Sequence, residues 1–403
     1  MKQSKQQSKQ NRPPVPGGAP GRRVWEVAAA AALLALLVLS ALLLNGTQEQ
    51  RELSAAQKRK FAAAKVTEVM EDNAEPDAWT EGRRLGQQYI RVEILTGEFK
   101  GSVMETVNYL NAYSNVDCRE GTRIIVRLDL DDSGAPYIVS VPNYDRGLVL
   151  FGLLAAFILL LVLIGGKKGA MAVLGLGYTV ACVWFVLVPL LLRGVPPIPA
   201  TIGIVALTTA ASLLLLTGFS KKTLCATLGC VGGVAAAGLF AAAAGALSPM
   251  NGFNMSEAEE LVLRAYDSQL HISGLLVSGI LIASLGAVMD VAMSIASACN
   301  ELHEVNPALS RRELFRSGMN IGRDAMGTMA NTLILAFAGA SLNILILFQA
   351  YGFPAIQILN TDAIVIELIR GIAGSVGIIL TVPLVSLLSA RILAAPGQSG
   401  TRR

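Results

Sequence analysis

Histidine and cysteine, the residues that most often bind transition metals, are scarce in this sequence. Its 403 residues include two histidines and five cysteines, and no two cysteines have the Cys-x-x-Cys spacing. His303 is flanked by Glu301 and Glu304, but no second histidine follows at a metal-site spacing. Cys118 is the only cysteine in the long polar stretch of the chain, so that stretch cannot form an internal disulfide. We therefore expect no metal ion, no redox centre and no other cofactor.

The motifs of the common hydrolases are also absent. Walker A, Gly-x-Ser-x-Gly and His-Glu-x-x-His patterns do not occur. An intramembrane protease would need a Ser–His pair or two aspartates in separate apolar blocks, and Asp290 is the only carboxylate deep inside one. We predict that the protein is not an enzyme. A membrane enzyme is the third alternative, after the two given below.

Charged residues make up only 15% of the chain, whereas about 25% is usual in soluble proteins. The apolar residues instead form eight blocks, each about long enough to cross the ~30 Å of bilayer hydrocarbon as a helix. The sequence therefore predicts an α-helical integral membrane protein with about eight transmembrane helices. The blocks are Val27–Leu44, Leu148–Ile164, Met171–Leu192, Thr201–Phe219, Thr223–Leu247, Ser273–Ala296, Met326–Phe348 and Ile364–Leu388.

The only long polar stretch, residues 45–146, contains short runs in which apolar and polar residues alternate. This pattern is typical of strands, and the runs are separated by glycine-containing turns. A small exported β-barrel of the OB or SH3 type is predicted, which serves either as a structural spacer or as a ligand-binding module. The runs are Ala64–Met70, Tyr89–Leu95, Val103–Val107, Thr122–Leu128 and Tyr137–Val141.

Basic residues indicate the orientation. If the N-terminus is cytoplasmic, the inside segments carry seventeen lysines and arginines and the short outside loops carry two. Six of the seventeen precede the first apolar block without interleaved aromatics, so nucleic-acid binding is not expected. Both termini are predicted to be cytoplasmic. The predicted divisions are a basic tail (1–23), a signal anchor (24–44, uncleaved or, alternatively, cleaved near Asn45), an extracytoplasmic linker and β domain (45–146), a seven-helix bundle (147–392) and a C-terminal tail (393–403).

The sixth apolar block contains an aspartate. Gly286, Asp290, Ser294 and Ser297 follow one another at intervals of four, four and three, so they share one helix face. A carboxylate in the bilayer costs several kcal/mol unless it is paired, protonated or hydrated. Asp290 is therefore the first candidate for a protonatable or cation-binding group, and a packing contact with a neighbouring helix is the alternative.

A second polar face, formed by Asp324, Thr328 and Asn331 (or Thr332), lies at the start of the seventh block. The sixth and seventh helices are expected to be antiparallel neighbours, which places Asp290 and Asn331 at similar depth. We expect a polar cluster between the two helices.

The eighth block carries Glu367 and Arg370 three residues apart, close enough to pair on a helix. An interfacial salt bridge and a substrate contact are both consistent with this spacing. The fifth block has a face of small residues that allows close helix packing, within the chain or with a second copy or another subunit. This face consists of Gly229, Gly233, Ala237 and Ala241.

The run from Gly286 to Ser297, with the segments 301–304, 311–324 and 326–329, resembles the YibE/F-like family of bacterial multi-pass membrane proteins. The likeness extends over residues 60–390. It implies an N-terminal helix, an exported β domain and a multi-helix bundle in a bacterial inner or plasma membrane. It implies no established activity or substrate and supplies no catalytic residues.

Two functions are consistent with these features. The first is a transporter or permease-like protein with a polar path around Asp290, Asp324, Asn331 and Glu367, because interrupted helices commonly form transport sites. The second is a non-transporting sensor or scaffold whose exported β domain binds an envelope ligand or partner. The bilayer is the expected partner in both, and the sequence does not indicate the solute.

Overall fold

A computed structural model describes residues 20–45, 59–250, 252–255, 258–265 and 270–394 of the chain. The chain divides into one unit of residues 48–163 and a second unit that combines residues 1–47 with 164–403. The first helix, α1, spans Pro20–Asn45 and so begins four residues before the predicted anchor. Most of the two predicted tails and of the predicted linker lies outside the described residues.

All five predicted strands are present, and a two-residue strand is added. The strands are β1 Arg59–Asp72, β2 Glu75–Pro76, β3 Arg84–Ile94, β4 Val103–Leu110, β5 Arg123–Leu130 and β6 Pro136–Tyr144. They form one antiparallel sheet in the order β2-β3-β1-β5-β6, and β4 pairs with β3 outside this order.

The sheet curls into a half-barrel around an apolar core. The long strand β1 has register shifts between Val66 and Glu68 and between Val69 and Glu71, and such irregularities bend a strand. The Thr106 hydroxyl of β4 donates a hydrogen bond to the Val139 carbonyl of β6, which draws the two ends of the sheet together. Alternate residues point inward, as the sequence pattern predicted. The most buried of them are Ala64, Val66, Ile90, Val92, Ile94, Ile124 and Val126.

A polar network closes one end of the half-barrel. Arg84 pairs with Asp72 and Asp117, each at 2.8 Å. The buried Gln88 side chain donates to Asp72 at 3.0 Å and to the Cys118 carbonyl at 3.1 Å. The hydrogen bond from Arg84 keeps the pKa of Asp72 below its usual value, so this carboxylate stays ionised at neutral pH.

The helical part departs from the predicted count of eight spans. The segment Gly147–Cys182, named α2, consists of two helices joined across a kink at Gly166 (φ 55°, ψ −134°), which lies between the second and third predicted blocks. A π-helical segment and α3, Val188–Leu192, continue it. Among the described residues five helical stretches are long and apolar enough to cross a membrane, and a sixth if one bent pair counts as a span. The eight predicted spans are therefore supported only in part.

The other helices belong to the second unit. A serine three residues before a glutamate predicts a capping box, and Ser310 and Glu313 form one at the start of α8 (Arg311–Ala340). That helix continues without a break from the segment between the sixth and seventh predicted blocks into the seventh block. The helices are α4 Pro197–Thr217, α5 Lys221–Leu247, α6 Ala258–Ala265, α7 Leu275–Val305, α8 Arg311–Ala340, α9 Leu342–Ala350, α10 Ala355–Ile358 and α11 Asp362–Ile392.

The small-residue face of α5 packs against α11 of the same chain. A Cβ added at Gly233 would lie 1.8 Å from the Thr381 hydroxyl oxygen and 3.1 Å from the Gly377 carbonyl oxygen. A Cβ at Gly377 would lie 2.9 Å from that of Ala237, which is fully buried. The face thus serves packing within the chain, the first of the two uses predicted for it.

We expect Gly233→Ala to lower the thermal unfolding temperature of the full-length protein in detergent. The added methyl group overlaps Thr381, and overpacking of this kind costs about 1–3 kcal/mol. Gly279→Ala in α7 is the matched control, because Gly279 is exposed and nothing lies within 4 Å of the added methyl. Equal unfolding temperatures for the two variants would refute the close α5–α11 crossing.

Candidate functional site

Asp290 is the middle residue of the 31-residue helix α7. At about 1.5 Å per residue it lies roughly 22 Å from either end of the helix, far from both helix termini. Its side chain is exposed, whereas Val288 and Val291 on either side of it are buried. Asp290 therefore lies on the side of α7 that the rest of the described bundle leaves accessible.

The predicted polar face of α7 extends further along the helix than the sequence analysis recognised. Its exposed members are small or polar and lie opposite the packing residues Leu281, Val288 and Ile295, whereas the predicted member Ser297 is half-buried. Asp290 makes no hydrogen bond or ion pair within the described part of the chain. The exposed face consists of Gly279, Ala283, Gly286, Asp290 and Ser294.

Asp324, Thr328 and Asn331 lie on the exposed side of α8. The opposite side of this helix packs on α11 through Gly318 and Gly322, which are buried. The Thr328 hydroxyl donates to the Asp324 carbonyl of its own helix at 3.1 Å. Among the residues that the structure describes, no hydrogen bond connects this face with Asp290, so the expected cluster between the two helices is not formed by direct contact.

Glu367 and Arg370 do form the predicted pair. Arg370 Nη1 donates to Glu367 Oε1 at 2.7 Å, and the side chains are 23% (Glu367) and 28% (Arg370) exposed. The second carboxylate oxygen, Glu367 Oε2, is buried and has no hydrogen-bond partner among the described residues. One oxygen of the Glu367 carboxylate is thus buried without a compensating hydrogen bond from the described residues.

The ion pair lines a cavity of about 480 Å³. A second carboxylate, Asp362, belongs to the same wall and accepts a hydrogen bond from Asn254 Nδ2 at 3.0 Å. The other lining residues are mainly apolar, as is usual for small-molecule sites. They are Met255, Ala340, Ser341, Ile344, Ala363 and Ile366.

A broken helix forms the opposite wall of this cavity. Helix α8 ends at Ala340 and α9 begins at Leu342, with an angle of 57° between them. The predicted span Met326–Phe348 is therefore interrupted at Ser341. The first N–H groups of a helix have no partner within the helix, and its N-terminus carries a partial positive charge. The start of α9 borders the cavity through Ser341 and Ile344.

Three residues of this site were missed from the sequence. Asn254 and Asp362 lie outside the predicted spans, and Ser341 lies inside one. A signal was present at Ser341, because Gly339 precedes it by two residues and glycine–serine pairs are sites of helix kinks. The pairing of Asn254 with Asp362 joins segments 108 residues apart, which no local pattern reveals.

The charges of the cavity favour a cationic group. Its lining contains the carboxylates of Asp362 and Glu367 and the single guanidinium of Arg370. A small cation, or the ammonium group of a zwitterion, could replace Arg370 as the partner of Glu367. No group of three or more His, Cys, Asp or Glu side chains in the described residues could hold a metal ion.

These features define a polytopic membrane protein with a broken helix and an ion-paired cavity. The sequence model of the YibE/F-like protein family matches residues 153–395, from α2 to the end of the described bundle. The chain therefore belongs to the YibE/F-like family, as the resemblance predicted. The β domain lies outside the matched range. No curated protein and no solved structure matches the chain.

We expect Glu367→Gln and Arg370→Gln each to destabilise the bundle by about 1–3 kcal/mol, since each leaves a partly buried charge without its partner. The double variant should lose less stability than the sum of the losses in the two single variants, because both partners of the ion pair are then removed together. Thermal unfolding of the four proteins in detergent measures this coupling. The exchanged pair Glu367→Arg with Arg370→Glu should recover part of the loss. Strictly additive losses would show that the two side chains do not interact.

Proposed function

We propose that the protein is a transporter or permease-like protein that moves a small charged solute through the cavity beside Glu367 and Arg370. The observation that carries this proposal is the break at Ser341, where two helix ends face an ion-paired cavity. Transporters commonly build their sites from discontinuous helices whose free termini contact the solute. The N-terminus of α9 carries a partial positive charge, and the two carboxylates are negative. The cavity can therefore attract both the negative and the positive group of a polar ligand.

The outward face around Asp290 would form a second part of the path. An ionised carboxylate in lipid costs several kcal/mol, so this face requires water, a proton or another subunit. Asp324, Thr328 and Asn331 would extend this polar surface on α8. In this proposal Asp290 exchanges a proton or binds the coupling cation while Glu367 binds the solute.

The proposed setting is the inner or plasma membrane of a bacterium, with both termini in the cytoplasm. The positive-inside count supports this orientation. Eight crossings require that the helix from Gly147 to Leu192 cross the membrane twice and turn at Gly166, whose positive φ allows a sharp change of direction. The cavity then lies in the outer half of the membrane, since α11 begins outside.

Electrical recording from proteoliposomes on a solid-supported membrane tests the proposal. Concentration jumps of sodium, potassium, ammonium, magnesium and small zwitterionic amino acids are applied in turn. We expect at least one solute to produce a transient current with the wild type. Glu367→Gln should weaken its apparent affinity by about tenfold or more, the effect of losing an interaction of about 1.4 kcal/mol.

Glu304→Gln is the matched control for Glu367→Gln. Glu304 lies near the other end of the bundle, where it is exposed and accepts a hydrogen bond from Asn300 at 2.7 Å. Its replacement should leave the current unchanged. A current that responds equally to both substitutions, or that no solute elicits, would count against a transport site at this cavity.

Asp290→Asn should abolish the pH dependence of the current while leaving the protein folded, because an amide neither binds nor releases a proton in this range. Currents recorded between pH 5 and 8 at fixed solute concentration measure the effect. An unchanged pH profile together with unchanged flux would remove Asp290 from the path.

The rival function is a sensor or scaffold in which the β domain binds an envelope ligand. The pairing order of its strands, in which β1 lies between β3 and β5, favours an OB-like barrel, and OB folds bind oligonucleotides and oligosaccharides. Deleting residues 60–145 separates the two functions. A transporter should keep part of its flux without the domain, whereas a sensor should lose every response.

A further inference from the structure

Two loops of the β domain carry aromatic side chains that nothing in the described chain covers. Trp79, between β2 and β3, is 94% exposed, and Tyr113, between β4 and β5, is fully exposed. Large aromatic side chains seldom project fully into water, because they bury 150–250 Å² when covered. Their exposure indicates a surface that a partner covers.

The two loops lie side by side. Arg83 Nη2, at the end of the first loop, donates to the Asn111 carbonyl at the start of the second, at 3.1 Å. Asn115 Nδ2 in the second loop donates to the Arg84 carbonyl at 2.5 Å. Trp79 and Tyr113 therefore belong to one end of the half-barrel, which we name the loop end (residues 77–83 and 111–117).

The chain leaves the β domain at this same end. The hydroxyl of Tyr144, the last residue of β6, accepts a hydrogen bond from the Asp117 N–H at 2.8 Å. Only Asp145 and Arg146 separate Tyr144 from the start of α2. Gly147 follows Tyr144 by three residues, and three fully extended residues span about 10 Å at most. Helix α2 therefore begins close to the loop end.

The first part of α2 can only be a membrane segment or a protein-covered one. In the most apolar stretch between Gly147 and Leu192, no residue is buried by the described part of the chain. Leu148 and Phe151, in its first turns, are 71% and 74% exposed. A helix that is apolar on all sides and unburied in its own chain is typical of a lipid-facing span. The edge of the hydrocarbon therefore lies within about 10 Å of Tyr144.

We propose that the loop end rests on the lipid bilayer, with Trp79 and Tyr113 inserted at the boundary between headgroups and hydrocarbon. Tryptophan and tyrosine are enriched at this depth, because their rings are amphipathic. Arg146 lies 5.8 Å from the centre of the Tyr144 ring, at the level where a guanidinium can reach lipid phosphates.

This contact would set the orientation of the domain. The loops at the other end of the half-barrel, residues 95–102 and 131–135, would then point away from the membrane. The proposal rests only on the membrane location of α2 and holds whether or not the bundle transports a solute.

Depth-dependent fluorescence quenching tests the contact. The full chain with Trp25→Phe and Trp184→Phe retains Trp79 as its only tryptophan. It is placed in nanodiscs of phosphatidylethanolamine and phosphatidylglycerol, with acyl chains brominated near the headgroup. We expect brominated lipid to quench Trp79 several-fold more strongly than it quenches a control tryptophan at the far end. Iodide in solution should show the reverse order.

The control carries Trp25→Phe, Trp79→Phe, Trp184→Phe and Tyr137→Trp. Tyr137 is 64% exposed at the start of β6, the end opposite to Tyr144. A third protein with Tyr113→Trp in place of Tyr137→Trp tests the second loop and should behave as Trp79 does. Equal iodide quenching at positions 79 and 137, without lipid quenching, would overturn the proposal. Protection of Trp79 from both quenchers would also overturn it, since a protein would then cover the loop.

Discussion

The close crossing of α5 and α11 is the contact on which the bundle depends. Lipid chains are as apolar as leucine, so helices in a bilayer gain little by burying apolar side chains against one another. They associate where small residues let the backbones approach, and Gly233 and Gly377 allow this here. Helices α7 and α8 also pack on α11, through Val288 and through Gly322. The position of α11 therefore determines where Glu367 and Arg370 lie.

The two groups of ionisable residues in the bundle are compensated in different ways. Glu367 and Arg370 neutralise each other beside a cavity, so the chain itself offsets most of the cost of placing them there. Asp290 has no such partner in the described chain and faces outward from the middle of α7. Only something outside the described residues, such as water, a proton or another subunit, can offset its cost. This contrast gives the two sites different roles in the proposed transport.

Several elements were predictable because their patterns are local. The five strands followed from alternation, and the capping box at Ser310 followed from the spacing of two residues. The two apolar blocks on either side of Gly165–Gly169 were predicted as separate helices, and the structure has a kink between them at Gly166. The shared face of Glu367 and Arg370 was recognised, whereas the cavity beside it was not.

The sequence alone determined which segments are apolar enough for lipid, which face of each element is polar, and which family the chain resembles. These properties depend on neighbours within a few residues, so periodicity and composition report them. The tertiary structure decided that α8 and α9 break at Ser341, that Asn254 meets Asp362, and that Asp290 and Asp324 face outward from the bundle rather than forming a cluster. Each of these depends on how faces distant along the chain pack together, and the packing energy of one helix against another is not encoded in the pattern of either helix by itself.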